Sequence, residues 1–301
     1  MHAAGIIDGK LVIAGGSCWP APDRKERLRR VDIYDPVQDD WQCGQDLPIG
    51  MDGAAGGVVD GRLLVIGGYD GVSARTEVLS GDGRGRWETV AFMPGGRTLA
   101  SSAVIDHYVY LCAGTQRPDT LDDDLPTLFR IDANGSGQRA SRVKVCRPFP
   151  GAARAIQASA ASGGALFVFG GALVRDGKVV NSPEVWRYMP KPDSWERLPD
   201  APGAVRGWGA IALKGSHTIL LLGGYRDDEP GTPPGFRRTI WAFDTIRSRW
   251  STNGELPLAF GAIPYGLTSS GLLLAAGGED APRHRAGSTL RGQIIGAGDK
   301  A

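Results

Sequence analysis

Paired small residues recur along this 301-residue chain at a spacing that few folds accommodate. Six apolar runs each end in such a pair: Leu11–Gly16, Leu63–Gly68, Val109–Gly114, Leu166–Gly171, Ile219–Gly224 and Leu273–Gly278. The first members of the pairs stand at 15, 67, 113, 170, 223 and 277, so the steps are 52, 46, 57, 53 and 54. A unit of about 50 residues cannot bury its faces alone, and six in tandem predict a ring of sheets, an all-β six-bladed propeller. Glycine, at 45 of 301 residues, is about twice its usual share, yet it follows no Gly-X-Y period. The excess is explained by the positions that recur from unit to unit.

Each unit carries the same further signals. Before each apolar run stands a turn: Asp8-Gly9, Asp60-Gly61, Asp106-His107, Gly163-Gly164, Gly215-Ser216 and Ser270-Gly271. Most suit a two-residue hairpin, whose central residues need positive φ. Upstream lie small-residue runs such as Ala54–Gly57 and Ser101–Ala103, fitted to an innermost strand at a crowded axis. Aromatic and tryptophan residues follow at a seven-residue spacing in Tyr34/Trp41, Tyr188/Trp195 and Phe243/Trp250, and Trp87 holds the tryptophan place in the second unit. Linkers then carry a hydrophobe-proline pair: Leu47-Pro48, Met93-Pro94, Phe149-Pro150, Leu198-Pro199 and Leu256-Pro257. The apolar runs are continuous, as expected of strands buried on both faces. One domain over 1–301 is expected, with blades near 1–48, 49–94, 95–150, 151–202, 203–257 and 258–301. No tryptophan strand follows the third strand of the last unit. The sixth blade is therefore expected to lack its outer strand, and the sequence to lack an N-terminal strand that would complete it.

Composition narrows the partners. Lys+Arg minus Asp+Glu is 34 − 33 = +1, which gives no electrostatic reason for nucleic acid or an anionic membrane surface. No run reaches the ~18–20 apolar residues of a membrane span. The chain carries no secretion signal; a periplasmic or secreted location is expected if an N-terminal segment is missing, and a cytoplasmic one otherwise. Cys18, Cys43, Cys112 and Cys146 form no Cys-x-x-Cys pair with histidine in register, and His2, His107, His217 and His284 form no cluster. No metal and no cofactor is expected. Cys112, in a buried strand, reads as an inert thiol. Asp122–Asp124 and Asp227–Glu229 lack EF-hand spacing, and Asn134-Gly135-Ser136 reads as a glycosylation acceptor or equally as a hairpin turn.

Ligand chemistry on a propeller sits in the loops at one end of the ring. The bends leading into the inner strands carry Asp52, Arg97, Arg154, Arg206 with Trp208, and Phe260, with His2 as the first-unit counterpart. Just past the glycine pairs stand Ser17, Tyr69, Thr115, Ala172, Tyr225 with Arg226, and Glu279 with Asp280. Three arginines at comparable places either converge on one mouth and grip a carboxylate or bridge neighbouring loops. Tyr69 and Tyr225 either stack on a sugar or roof the loops. Glu279 is the one carboxylate directly after a glycine pair, and so the best acid/base candidate.

The paired glycines, with an aromatic residue and a tryptophan seven positions on, resemble the kelch repeat family over essentially the whole chain. That resemblance implies the propeller but no single activity. In the last third, Trp250-Ser-Thr-Asn-Gly-Glu-Leu-Pro257, Ala259-Phe-Gly261 and Leu272–Glu279 look like the closing blade of bacterial N-acetylneuraminate mutarotases. This likeness covers about 35 residues and implies cofactor-free exchange of sialic acid anomers. The family places its proposed catalytic glutamate after the fourth glycine pair, where this chain has Ala172, and an arginine where it has Leu258. The expected site is Glu279 and Tyr225 for proton transfer, with Arg97, Arg154, Arg206, Tyr69 and Trp208 binding substrate. The alternative is a non-catalytic module that holds a glycan or an acidic peptide. Copper radical chemistry of the galactose-oxidising kind would need a Tyr/His cluster that the scattered histidines do not offer.

Overall fold

The structure, a computed structural model, describes residues 1–21, 23–121, 125–134, 142–227, 234–281 and 283–294. Asp122–Asp124, most of Asp227–Glu229 and the end of Asn134–Ser136 lie outside the described residues. No α-helix occurs among the described residues; everything regular is strand. Consequently no helix there is long and apolar enough to cross a membrane.

The first unit runs Ala3–Ile7, Lys10–Ala14, Val31–Asp35 and Asp40–Cys43, paired antiparallel in that order. Four more four-stranded sheets repeat this order. The last unit has Tyr265–Leu267, Leu272–Ala276 and Thr289–Gln293 in a three-stranded sheet. Each first strand lies beside the next: Ala3–Ile7, Ala55–Val59, Ser101–Ile105, Ala158–Ser162, Gly209–Ala212 and Tyr265–Leu267, which returns to Ala3–Ile7. Five of these six strands are rich in Gly, Ala or Ser, the sixth being Tyr265-Gly266-Leu267, and the small residues make room for it: a Cβ on Gly209 would run into the Tyr265 ring. Second strands are sealed on both faces, as Leu63, Leu64, Val65 and Ile66 show by being almost wholly buried.

The hairpin turns follow the sequence in the first two units, where Asp8 and Gly9 have φ of 49° and 76°, and Asp60 and Gly61 of 47° and 72°. Units five and six differ. Their loops are longer, closed by Leu213 N–H to Thr218 O at 2.9 Å and Thr268 N–H to Leu272 O at 2.9 Å. All three aromatic–tryptophan pairs are in contact with tilted rings: Tyr34–Trp41 and Tyr188–Trp195 with centroids 5.0 Å apart, Phe243–Trp250 at 4.8 Å. In the second unit Gly81 stands at the aromatic place, facing Leu63 as Tyr34 faces Leu11, and the Trp87 ring covers it instead.

Linkers lock each unit to the next. The N–H of Leu47, Met93, Phe149 and Leu256 donates to the carbonyl of Arg29, Thr76, Pro126 and Arg238 respectively, one or two residues before the third strand of the unit just left. In the fourth unit this role falls to Ala201, beside Pro202, on Pro183 O; Leu198-Pro199 lies one step too early, inside and just after the fourth strand. The linker then returns a carbonyl to the second glycine of the pair: Gly16 to Met51, Gly68 to Arg97, Gly114 to Arg154, Gly171 to Val205 and Gly224 to Phe260, at 2.8–3.0 Å. Glycine is demanded here because Gly67 and Gly68 hold φ of 62° and 99° and the Arg97 carbonyl fills the space of a Cβ. Burying each of these linker side chains contributes about 1.5–3 kcal/mol for residues of Leu or Phe size.

Candidate functional site

A cavity of about 460 Å³ opens where the linkers turn into the inner strands. Its floor is an arc of backbone. Gly53 N–H donates to Met1 O, Leu99 to Gly53 O, Ile156 to Leu99 O, Gly207 to Ile156 O and Ala262 to Gly207 O, at 2.8–3.1 Å. All five donors have left-handed φ, 54–69°, although Leu99, Ile156 and Ala262 carry side chains. Such strain costs roughly 1–3 kcal/mol per residue and persists only where surroundings over-determine it. Here the tangential hydrogen bonds do so, and they fix a rigid floor whose apolar surface comes from Leu99, Ile156 and Ala262.

The residue before each floor residue pairs with the residue after a glycine pair. The bridges are Asp52↔Tyr69, Thr98↔Thr115, Ala155↔Ala172 and Gly261↔Glu279, with Arg206↔Tyr225 as the fifth. These pairs form the rim. One residue earlier lie the positions whose carbonyls meet the glycine pairs: Met51, Arg97, Arg154, Val205 and Phe260. Successive side chains on an extended segment point to opposite sides, so these face inward, into the seams between units. This register divides the seven expected site residues.

Arg206, Tyr225 and Glu279 share the walls of the cavity. The Arg206 guanidinium lies 4.4 Å over the Tyr225 ring, and its Nη1 donates to Asn181 Oδ1 at 2.7 Å and Asp227 Oδ1 at 2.9 Å. Glu279 Oε1 accepts from the Arg283 backbone N–H at 3.1 Å and lies 2.6 Å from Arg285 Nη1, an ion pair whose angle is not that of a hydrogen bond. Opposite, Asp52 is held by Lys25 and by Arg27 Nε at 3.0 Å. Burial pushes the Asp52 carboxyl up, but the hydrogen bond and charge of Lys25, with Arg27 adding, outweigh it and hold it below the usual carboxylate range.

The other four lie elsewhere. Arg97 and Arg154 are not at the mouth; they are 5% and 0% exposed and occupy the seam positions. Arg97 donates to Gly96 O and Thr127 Oγ1. Arg154 donates to Gly170 O and Ser182 Oγ, lies 4.9 Å over the Phe149 ring and pairs with Glu184. Burial lowers the Arg154 guanidinium even with Glu184 beside it. Trp208 is a core residue, 6% exposed and packed 6.5 Å from the Trp250 ring. Tyr69 is in the rim ladder but roofs its loop under the Arg27 guanidinium, 4.9 Å away, and is not among the residues lining the cavity. Ala172 is fully buried.

Lys25, Asp52, Phe236, Arg283 and Arg285 line the cavity as well and were not in the expected site. Asp52 was legible, since it stands at the same distance before its inner strand as Arg206. The others sit in variable loops, where no repeat signal reaches. Among the described residues no group of three or more His, Cys, Asp or Glu is placed to hold a metal ion. Cys112 is fully buried, and burial pushes its thiol up to about 12, which fits an inert core thiol.

The Kelch motif family matches residues 1–48 of the chain. Among curated proteins, the Kelch-like protein terF of Aspergillus terreus is 27% identical over 235 residues, which covers 73% of this chain and 48% of that protein. The N-acetylneuraminate epimerase of Yersinia enterocolitica is 22% identical over 227 residues, 65% of this chain and 55% of that protein. The chain thus spans about half the length of the curated relatives it matches.

Proposed function

We propose that this kelch-repeat β-propeller protein binds a carboxylated sugar, sialic acid or a relative, at its mouth and exchanges its anomers without a cofactor. The observation that carries the reading is the convergence of Arg206, Tyr225 and Glu279, from the fifth and sixth units, on one cavity of about 460 Å³. That volume lies in the range of small-molecule sites. In the same reading the six main sheets are the blades of one six-bladed domain over 1–301, the sixth without its outer strand.

Anomer exchange breaks and remakes one ring bond. A base takes the proton of the anomeric hydroxyl, the carbonyl forms, the ring C–O bond breaks, and an acid protonates the departing ring oxygen. Reclosure on the other face reverses each transfer, so no oxidant, reductant or metal is consumed. Glu279 supplies the base and Tyr225 the acid. Arg206 offers the carboxylate its Nε–Nη2 edge, since Nη1 holds both Asn181 and Asp227. The apolar floor of Leu99, Ile156 and Ala262 meets the hydrocarbon face of the sugar. Distant similarity to an N-acetylneuraminate epimerase supports the choice of ligand class.

A second reading has its own observation. Glu279 is already engaged by Arg285 and by the Arg283 N–H, and Ala172 stands after the fourth glycine pair, which suits a mouth that binds a glycan or acidic peptide without turnover. Proton NMR of freshly released α-sialic acid separates the two. Catalysis predicts anomer equilibration faster than buffer and a loss of at least tenfold in Glu279→Gln. Saturable binding with the buffer rate selects the binding module, and neither binding nor acceleration removes both.

A further inference from the structure

Seven charged side chains line the mouth cavity, and five of them are committed to partners inside the protein. Lys25 holds Asp52, Arg285 holds Glu279, and Arg206 is tied to Asp227 and Asn181. The remaining two are Asp119 and Arg283. Among the described residues neither side chain is in an ion pair or a hydrogen bond.

Both stand in loops that follow a glycine pair, Asp119 in the third unit and Arg283 in the sixth. The first strands of the units neighbour one another in a cycle, so these two units are three steps apart in either direction and lie on opposite sides of the mouth. Each residue has a fixed seat. Asp119 is at the tip of a tight turn closed by Leu121 N–H to Arg117 O at 3.0 Å and entered by Arg117 N–H to Thr115 Oγ1 at 3.0 Å. Leu121, 7% exposed, pins that turn against Ala155 and Ala172. Arg283 has a left-handed φ of 62°, its N–H on Glu279 Oε1 and its guanidinium 5.6 Å over the Trp19 ring. An indole face holds a guanidinium in place without neutralising its charge.

Paired charges on a cavity wall largely cancel at the distance of a ligand, and the unpaired ones set the field it meets. Here that field is a dipole across the mouth, positive at the sixth unit and negative at the third. We propose that the preferred ligand is a zwitterion: a sugar acid whose carboxylate lies on the side of Arg206 and Arg283 and whose free, protonated amino group faces Asp119. This rests on the reading of the mouth as a site for a carboxylated sugar, and it narrows that class to sugars whose amine is not acetylated. Complementary charge of this kind supplies specificity. An acetamide in the same place offers one N–H and no charge, so Asp119 would give up water without gaining a cation.

The probes are two ligands that cannot exchange anomers, the methyl α-glycosides of neuraminic acid, with its free amine, and of N-acetylneuraminic acid. Calorimetry is run at about pH 6, where both carboxylates are ionised and the amine is protonated. The free amine is expected to bind the native chain at least tenfold more tightly, the size of one hydrogen bond to a charged group. Asp119→Asn, with its fold checked by urea unfolding, should abolish that preference, and Asp119→Lys should reverse it. Arg283→Gln should weaken both ligands by similar factors, because it acts on the carboxylate they share. Equal affinities for the native chain, tighter binding of the acetylated glycoside, or a preference that survives both Asp119 variants overturns the proposal and leaves the carboxylated-sugar reading standing. Failure of both glycosides to bind at millimolar concentration removes the two together.

Discussion

Arg154 and Arg206 lie in the same bend of successive units, yet they belong to different parts of the molecule. Arg154 is fully buried in a seam, its charge met by Glu184 and its N–H groups spent on Gly170 O and Ser182 Oγ. Arg206, one register position later relative to the glycine pair, stands on the rim with its side chain 24% exposed and stacked on Tyr225. The comparison teaches that in these bends one residue of register decides whether a guanidinium is mortar or bait.

The largest expected effect is on stability. Arg154→Ala removes the buried donor to Gly170 O and Ser182 Oγ and the charge that faces Glu184, a loss of about 3–5 kcal/mol on the scale of a broken buried pair. Arg206→Ala removes a partly exposed pair with Asp227 and should cost less than about 1 kcal/mol. Urea unfolding of both variants tests this; equal losses would erase the division into seam and rim. Affinity should run the other way. Arg206→Ala is expected to weaken sialic acid binding at least tenfold in calorimetry, whereas the conservative Arg97→Lys should leave it within twofold. An Arg97 effect as large as that of Arg206 would return Arg97 to the mouth.

A smaller effect concerns pH. Burial pushes the Glu184 carboxyl up, but the Trp186 indole N–H and the Arg154 charge outweigh it and hold it below its usual value of 4.5. A carboxylate with a depressed folded value stabilises the protein above pH 4.5, and that contribution fades as pH falls through the folded value. The stability gap between the native chain and Arg154→Ala should therefore narrow below pH 4.5. A gap constant from pH 7 to 3 would show that the charge of Glu184 plays no part in what Arg154 contributes. The least effect is expected at Tyr69: Tyr69→Phe keeps the ring under Arg27 and should leave ligand affinity unchanged.

Much of the fold was legible because it repeats. Asp8-Gly9 and Asp60-Gly61 adopt the positive φ their sequence announces, and Trp41, Trp195 and Trp250 pack against the aromatic residues seven positions earlier. The signal failed where a unit departs from its neighbours. Leu198-Pro199 matches the linker pattern, but the fourth strand takes Leu198 and Ala201 fills the seat. Arg97, Arg154 and Arg206 look equivalent because each stands in the bend that leads into an inner strand; counted from the glycine-pair hydrogen bonds, the third is one place on.

By itself, then, the sequence determined the period, the strand identities, the turn chemistry and the aromatic–tryptophan contacts, all of which depend on residues near one another in the chain. Tertiary structure alone decided the mouth. Its floor is a hydrogen-bonded arc through Gly53, Leu99, Ile156, Gly207 and Ala262, and its ion pairs join Lys25 to Asp52 and Glu279 to Arg285. No local rule reaches those contacts, because which side chain faces the axis depends on the register that each unit locks against the next.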